Sequence, residues 1–252
     1  MKKWKDNVYF ILVEPMEAGN IGAAARAIKN MDFKNLLLIN PPEVTGKEAG
    51  WFAHGASDVL KAAVSYKTLK EAISDKSYIV GTTQRTGRKR GGYLPVDQGS
   101  TRLFEIAQSN KVAILFGRED RGLYNEEVEQ CGFMMTIPTG KAQPSLNLAQ
   151  AVLIIAYEVS MSGRKKRPPS EKLIPGFLPA DSPSFVSHEQ MALLFNRMEK
   201  SMALINYLPE NNDYLYNKIM NKMKNCLGRS GLSEWEYNMF HGICDRIEKK
   251  FE

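Results

Sequence analysis

The sequence predicts an α/β protein, a parallel β-sheet with helices on both faces, followed by a small helical extension. Three observations lead there. Short, continuous apolar runs alternate with helical patterns between residues 8 and 161. These runs are rich in β-branched and aromatic residues, as strands buried on both faces are. A basic, proline-bearing stretch then separates the alternation from three segments of helical periodicity.

The elements follow in order. Val8–Val13 is the first apolar run. A basic N-terminus precedes it, but Glu14 and Pro15 cut it short of a signal-peptide core, so it reads as a buried strand. Leu36–Ile39, Tyr78–Val80, Val112–Phe116 and Phe133–Ile137 are further strands, with Ala62–Tyr66 a candidate for one more. Ile21–Asn30, Thr68–Ser74, Arg102–Ser109 and Asn125–Gln130 read as the helices between them, and Asn147–Met161 as a long final helix. Such alternation means a parallel sheet, with ligands at the carboxyl ends of its strands. Arg164-Lys165-Lys166-Arg167-Pro168-Pro169 then opens a linker, 164–186, that also holds Pro175, Pro179 and Pro183. Beyond it Ser187–Tyr207, Asp213–Gly228 and Ser233–Phe251 read as helices. Ser187 with Gln190 and Ser233 with Glu236 match capping boxes. The expected organisation is a sheet domain over 1–163, the linker over 164–186 and a helical extension over 187–252.

Composition removes several classes. Of 252 residues, 43% are hydrophobic and 25% charged, which is globular rather than disordered. No apolar stretch approaches the roughly 20 residues of a membrane span. Cys131, Cys226 and Cys244 are scattered, so neither a disulfide framework nor a zinc site is expected. Unpaired cysteines and 12 methionines fit a reducing cytoplasm. The net charge of +6 is a weak pointer to a polyanionic partner.

Three strand-end loops are candidates for chemistry. The first, Glu14 to Arg26, follows strand one and opens a helix. Gly19, Gly22 and three alanines allow close backbone approach. Asn20 and Arg26, six apart, are expected to face one mouth. A dinucleotide phosphate loop would want glycine at 19, 21 and 24, and Ile21 and Ala24 stand there instead. The second loop, Leu115 to Leu123, runs from a buried strand into Gly117 and four consecutive charges. Such charges need partners or solvent. In the third, Ile137 to Ala151, Pro138, Gly140 and Pro144 shape a tight turn. Ser145 or Asn147 can cap the helix that follows. The basic, glycine-rich stretch Gln84–Gly92 flanks the same mouth and suits phosphate contacts.

Together the three loops resemble the SPOUT class of RNA methyltransferases, in its TrmH/TrmJ branch. The matching motifs are Asn20-Ile-Gly-Ala-Ala-Ala-Arg26, Phe116-Gly-Arg-Glu-Asp-Arg-Gly-Leu123, and Ile137-Pro138 through Ser145-Leu-Asn147 to Ala151. The resemblance covers residues 7–163, and the C-terminal helices add to it with less specificity. It implies a trefoil knot at the C-terminal end of the sheet domain, S-adenosylmethionine as cofactor, and a homodimer whose active sites lie where subunits meet. It implies 2′-O-methylation of the ribose of a pyrimidine at position 32 of the tRNA anticodon loop. By motif position, Asn20, Arg26, Glu119, Ser145 and Asn147 form the catalytic set. The cofactor is expected at Thr82, Thr83, Gly117, Ile137, Thr139, Gly140, Ser145 and Leu146. Arg85, Arg88, Lys89, Arg90, Arg118 and Arg121 are the expected RNA-binding residues, with a dimer interface the alternative for Arg118 and Arg121, and no metal is expected. Glu119 is expected to hold an arginine or Asn20 in place, and a permanently charged Arg26 suits phosphate binding better than proton abstraction.

Three rivals remain at this stage. One is a ribose methyltransferase of the same fold acting on ribosomal RNA or another tRNA position. A second is an RNA-binding module without catalysis. A third, a dinucleotide-dependent oxidoreductase, is disfavoured by the broken glycine pattern.

Overall fold

The computed structural model describes residues 3–42, 47–84, 93–163, 184–209 and 212–251. The expected RNA-binding residues Arg85, Arg88, Lys89 and Arg90, and positions 164–183 of the expected linker, lie outside the described residues.

Among the described residues seven strands form one sheet, and every pairing within it is parallel. They are β1 (Val8–Val13), β2 (Asn35–Ile39), β3 (Val64–Tyr66), β4 (Tyr78–Thr82), β5 (Tyr93–Pro95), β6 (Val112–Phe116) and β7 (Phe133–Thr136). Their order is β3-β2-β1-β6-β4-β7-β5. All residues of the central strand β6 are buried, which is why its run Val-Ala-Ile-Leu-Phe carries no alternation. The helices between strands are α1 (Ala18–Asn30), α2 (Lys47–Phe52), α3 (Ser57–Lys61), α4 (Leu69–Ile73), α5 (Val96–Ala107), α6 (Asn125–Glu129) and α7 (Leu148–Ser162).

The sheet has two buried faces. Phe10, Leu12, Val80, Ile114 and Phe116 project to one face, where Ile21 and Ile28 of α1, Leu103 and Ile106 of α5, and Ile155 and Val159 of α7 cover them. Ile11, Ile39, Ile79 and Leu115 project to the other, which meets Ala72 and Ile73 of α4. Each such side chain contributes roughly 1.5–3 kcal/mol by leaving water. The helices on both faces thus follow from central strands that bury apolar side chains on both sides.

Some boundaries differ from the sequence reading. The helix expected at Arg102–Ser109 begins earlier, at Val96. Gly99 and Ser100 obscured its first turns, because both are poor helix formers. Gly99 has a packing reason, since an added Cβ would lie 2.5 Å from Met135 of β7. The edge strand β5 and the short helices α2 and α3 carried too few residues to register as periodic.

The C-terminal helices are α8 (His188–Leu204), α9 (Asp213–Ser230) and α10 (Glu234–Phe251). Ser187 with Gln190, and Ser233 with Glu236, make the expected reciprocal caps. α8 and α10 share a small core of Met191, Leu194 and Leu232, with Phe195, Tyr237 and Phe240 packed against it. Arg197 of α8 reaches Asp245, Glu248 and His241 of α10.

This bundle docks on the amino edge of the sheet. The Phe185 N–H donates to Asn110 Oδ1 at 2.7 Å, and Ser77 Oγ donates to the Phe185 carbonyl at 3.3 Å. The N–H groups of His188 and Glu189 donate to the carbonyls of Lys76 and Ser74. Phe185 is buried in the sheet domain's core, while its neighbour Val186 is buried in the helical one. The end of the expected linker is therefore packed structure.

Candidate active site

Strands β1, β6, β4 and β7 are neighbours in that order, so the loops leaving their carboxyl ends converge. This is the ligand position of an open α/β sheet. The loops begin at Glu14, Gly117, Thr83 and Ile137, so the motifs scattered through the sequence meet because of strand order.

A hydrogen-bond chain ties them together. Glu119 Oε1 accepts from Asn20 Nδ2 at 2.9 Å, and Glu119 Oε2 accepts from the Met16 N–H at 3.0 Å. Asn147 Nδ2 donates to Asn20 Oδ1 at 2.8 Å. Asn20 Nδ2 also donates to Glu17 at 3.2 Å. Asn20 is 7% exposed, and its amide is fully engaged. Asn147 in addition caps α7, its Oδ1 accepting from the Ala149 N–H at 2.9 Å, which leaves one amide N–H for a ligand. Glu119 therefore holds Asn20, the second of the two partners the sequence allowed. These three residues are a frame.

Arg26 and Ser145 stand differently. Both are exposed. Ser145 lines the cleft, whereas Arg26 is absent from its wall. Six residues along a helix is a rotation of about 600°, so Arg26 leaves α1 roughly 120° away from Asn20. The expectation that both face one mouth is corrected: Asn20 points inward to Glu119, and Arg26 points to solvent.

The cleft has a cavity volume of about 170 Å³. Of the expected cofactor residues, Thr82, Thr83, Gly117, Ile137, Thr139, Ser145 and Leu146 line it, and Gly140 does not. Thr82 Oγ1 donates inward to the Leu115 carbonyl at 2.8 Å, and the Thr83 N–H donates to Met135 at 2.9 Å, fixing that strand end. Thr139 Oγ1 donates to the Pro144 carbonyl at 3.0 Å, closing the third loop on itself. Residues 137–147 form neither strand nor helix, so their main chain can serve a ligand. Gly117 is obligatory, because an added Cβ would lie 2.2 Å from the Gly122 carbonyl carbon.

Arg118 is placed otherwise than expected. It is 8% exposed, with Nε donating to Glu14 at 2.8 Å and its fork donating to Glu127 at 3.1 and 3.0 Å. Burial works against its charge, yet the hydrogen bonds to Glu14 and Glu127 raise its pKa above the ordinary arginine value. The same bond from Arg118 holds the Glu14 carboxyl below the usual glutamate range. The RNA-binding expectation for Arg118 is thus corrected, since its donors are already spent inside the fold. Arg121 remains exposed at the cleft, its Nε donating to Asp120 at 3.0 Å. Such a surface pair is weak and exchangeable. Sequence reasoning missed Glu14, Glu17 and Glu127. A glutamate directly after a buried strand was the available signal for the first.

A larger cavity of about 450 Å³ lies between the sheet domain and the C-terminal helices, walled by Ile73, Tyr78, Met191 and Phe195. None of the motif residues of the catalytic set lines it, so the smaller cleft is the candidate site. Among the described residues, no group of three or more His, Cys, Asp and Glu is arranged to hold a metal ion.

Two asparagines and a glutamate thus join three loops beside a main-chain cleft at the carboxyl end of a parallel sheet, and the sequence that builds them matches a known family. The chain belongs to the SpoU methylase family, whose description reads "SpoU rRNA Methylase family" and whose pattern matches residues 7–157. It is similar to TrmJ of Pseudomonas aeruginosa (strain UCBPP-PA14), named a tRNA (cytidine/uridine/adenosine-2′-O-)-methyltransferase. Identity is 34% over 248 residues, covering 97% of this chain and 95% of that protein. Among solved structures it is similar to TrmJ from Z. mobilis ZM4, with a TM-score of 0.76, 27% identity, and coverage of 95% of this chain and 98% of that one. The fold also recurs in the SpoU methyltransferase AviRb from Streptomyces viridochromogenes, solved with the cofactor AdoMet. There the TM-score is 0.51 at 21% identity, over 63% of this chain and 62% of that one.

Proposed function

We propose that this protein methylates the ribose 2′-oxygen of a tRNA nucleotide, a pyrimidine at position 32 of the anticodon loop, using S-adenosylmethionine. The observation that carries the reading is the Glu119–Asn20–Asn147 chain joining three motif loops around one cleft. Near-full-length similarity to a tRNA 2′-O-methyltransferase supports the tRNA substrate. A tRNA substrate implies a cytoplasmic setting.

The residues present suit the cofactor. Ile137 and Leu146 give apolar wall, and the irregular 137–147 main chain gives hydrogen-bonding groups. When bound, S-adenosylmethionine supplies a methyl group on a sulfonium that is electrophilic without further activation. The protein's task is then alignment, which contributes up to roughly 7–11 kcal/mol. Ser145 places its hydroxyl on the ribose, and the free N–H of Asn147 assists. Arg26 binds a backbone phosphate through its fork and stays charged throughout, so the hydroxyl proton leaves to a phosphate oxygen or water.

The reading includes a homodimer. Arg26 is exposed and off its own cleft, as expected if it completes the site of a second copy. α7 exposes Leu153 (39%) and Tyr157 (47%) one turn apart, an apolar face for that copy to cover. It also includes a trefoil knot in the segment leading through α7, with residues 1–163 as the methyltransferase unit and 187–252 as its extension.

Incubation with methyl-labelled S-adenosylmethionine and unmodified tRNA transcripts, beside Arg26→Ala, tests the proposal. Label on the 2′-oxygen at position 32, lost in the variant, is the expected result. Label in ribosomal RNA alone, the substrate named in the family's description, would keep the reaction and overturn the substrate. No label in any RNA, with no cofactor binding, would leave an RNA-binding module.

A further inference from the structure

We propose that Arg118 is a positioning residue for methyl transfer, clamping the loop after β1 to the loop after β6 through Glu14 and Glu127. The inference deepens the methyl-transfer reading and rests on it.

Arg118 and Glu119 are adjacent and grip the same β1–α1 loop at different points. Glu119 takes the Met16 N–H and Asn20, while Arg118 Nε takes Glu14. The other edge of the guanidinium forks onto Glu127 of α6, and its face lies 3.9 Å from the Tyr124 ring centroid. Its own carbonyl accepts from the Gly122 N–H at 2.8 Å, across a turn that Gly122 makes at φ +70°. One side chain thus fixes three segments.

Glu14 shows what the clamp works against. It adopts φ +47°, a left-handed conformation that costs a non-glycine residue of order 1–3 kcal/mol. Its N–H on the Ile39 carbonyl at 2.9 Å, its carboxylate on Arg118 and a hydrogen bond from the Asn40 side chain retain it there. Lysine cannot replace the arginine, because one ammonium cannot serve Glu14 and Glu127 from opposite edges while stacking on Tyr124. Without the clamp, the β1–α1 loop loses its only described side-chain tie to α6, and the frame carried by Asn20 is set less firmly relative to the cleft.

Arg118→Lys and Glu14→Gln in the full chain test this, read by kcat, KM for tRNA and S-adenosylmethionine, thermal midpoint, and hydrogen exchange at the Met16 amide. Arg118→Lys is expected to lower kcat by up to roughly 10²-fold, with KM for tRNA little changed and faster exchange at Met16. Glu14→Gln should give a smaller loss of the same kind. It decides the matter if Arg118→Lys fails to fold, since the Glu14 side chain is 43% exposed and tolerates change. A raised KM for tRNA with kcat intact would show Arg118 touching RNA and would overturn the proposal. Unaltered kcat and unaltered Met16 protection would overturn it as well. Should the native protein methylate no RNA, the function reading fails, and Met16 exchange alone decides whether the clamp exists.

Discussion

At the scale of single residues, the site divides into side chains spent on the frame and side chains left for a ligand. Asn20, Glu119 and Asn147 are tied to one another, Asn147 keeping one N–H for a ligand, whereas Arg26 and Ser145 lie outside that chain of bonds and are exposed. Arg26→Ala should therefore abolish methyl transfer while leaving the thermal midpoint unchanged, a separation that melting and label incorporation read side by side. Gly117→Ala should do the reverse first. Its Cβ meets Gly122 and Leu123 main chain at 2.2 and 2.3 Å, and backbone cannot step aside cheaply. A loss of about 1–3 kcal/mol or more is expected in urea unfolding. The motif residues were singled out by the resemblance of three strand-end loops to a known family. The role of Arg118 was not legible, because four consecutive charges look alike in a sequence. Only strand order reveals that Glu14 and Glu127 flank one of them.

At the scale of elements, the long apolar strands and the capped helices were readable, and the short pieces were not. β5 has three residues and ends in proline, so it offers no period. The helices of the extension announced themselves through Ser187 and Ser233, but nothing in the sequence showed where they dock. The first turn of α8 lies on the α4–β4 loop, with His188 partly buried at the junction. Burial, and then the charge of Lys70, push the His188 imidazole below its ordinary pKa. Its depressed value means the unfolded chain takes up a proton first. Stability from this group is therefore complete above about pH 6.5 and declines as the pH falls from there through the folded value. Urea midpoints measured on either side of that point should show the decline, and His188→Gln should flatten it. An equal slope in the variant would assign the effect elsewhere.

At the scale of the whole molecule, cleft and extension occupy opposite edges of the sheet. Glu119 and Ser145 stand at the carboxyl edge, while Ser74, Lys76, Ser77 and Asn110 hold the extension at the amino edge. One chain presents its cleft without Arg26 on the wall, so function is expected to require two. Sedimentation should give a dimer. Mixing Arg26→Ala with Ser145→Ala under subunit exchange should recover part of the activity that neither variant has alone, since each hybrid assembles one intact site. No recovery, with exchange verified, would place Arg26 in its own chain's cleft. The pairing of Phe185 with Val186 bears on ancestry. Two consecutive side chains belong to different cores, so a gene fusion joining this sheet domain to another extension cannot be cut cleanly between them. An exchange of parts has to match Phe185 to the sheet core and Val186 to the helical core at once.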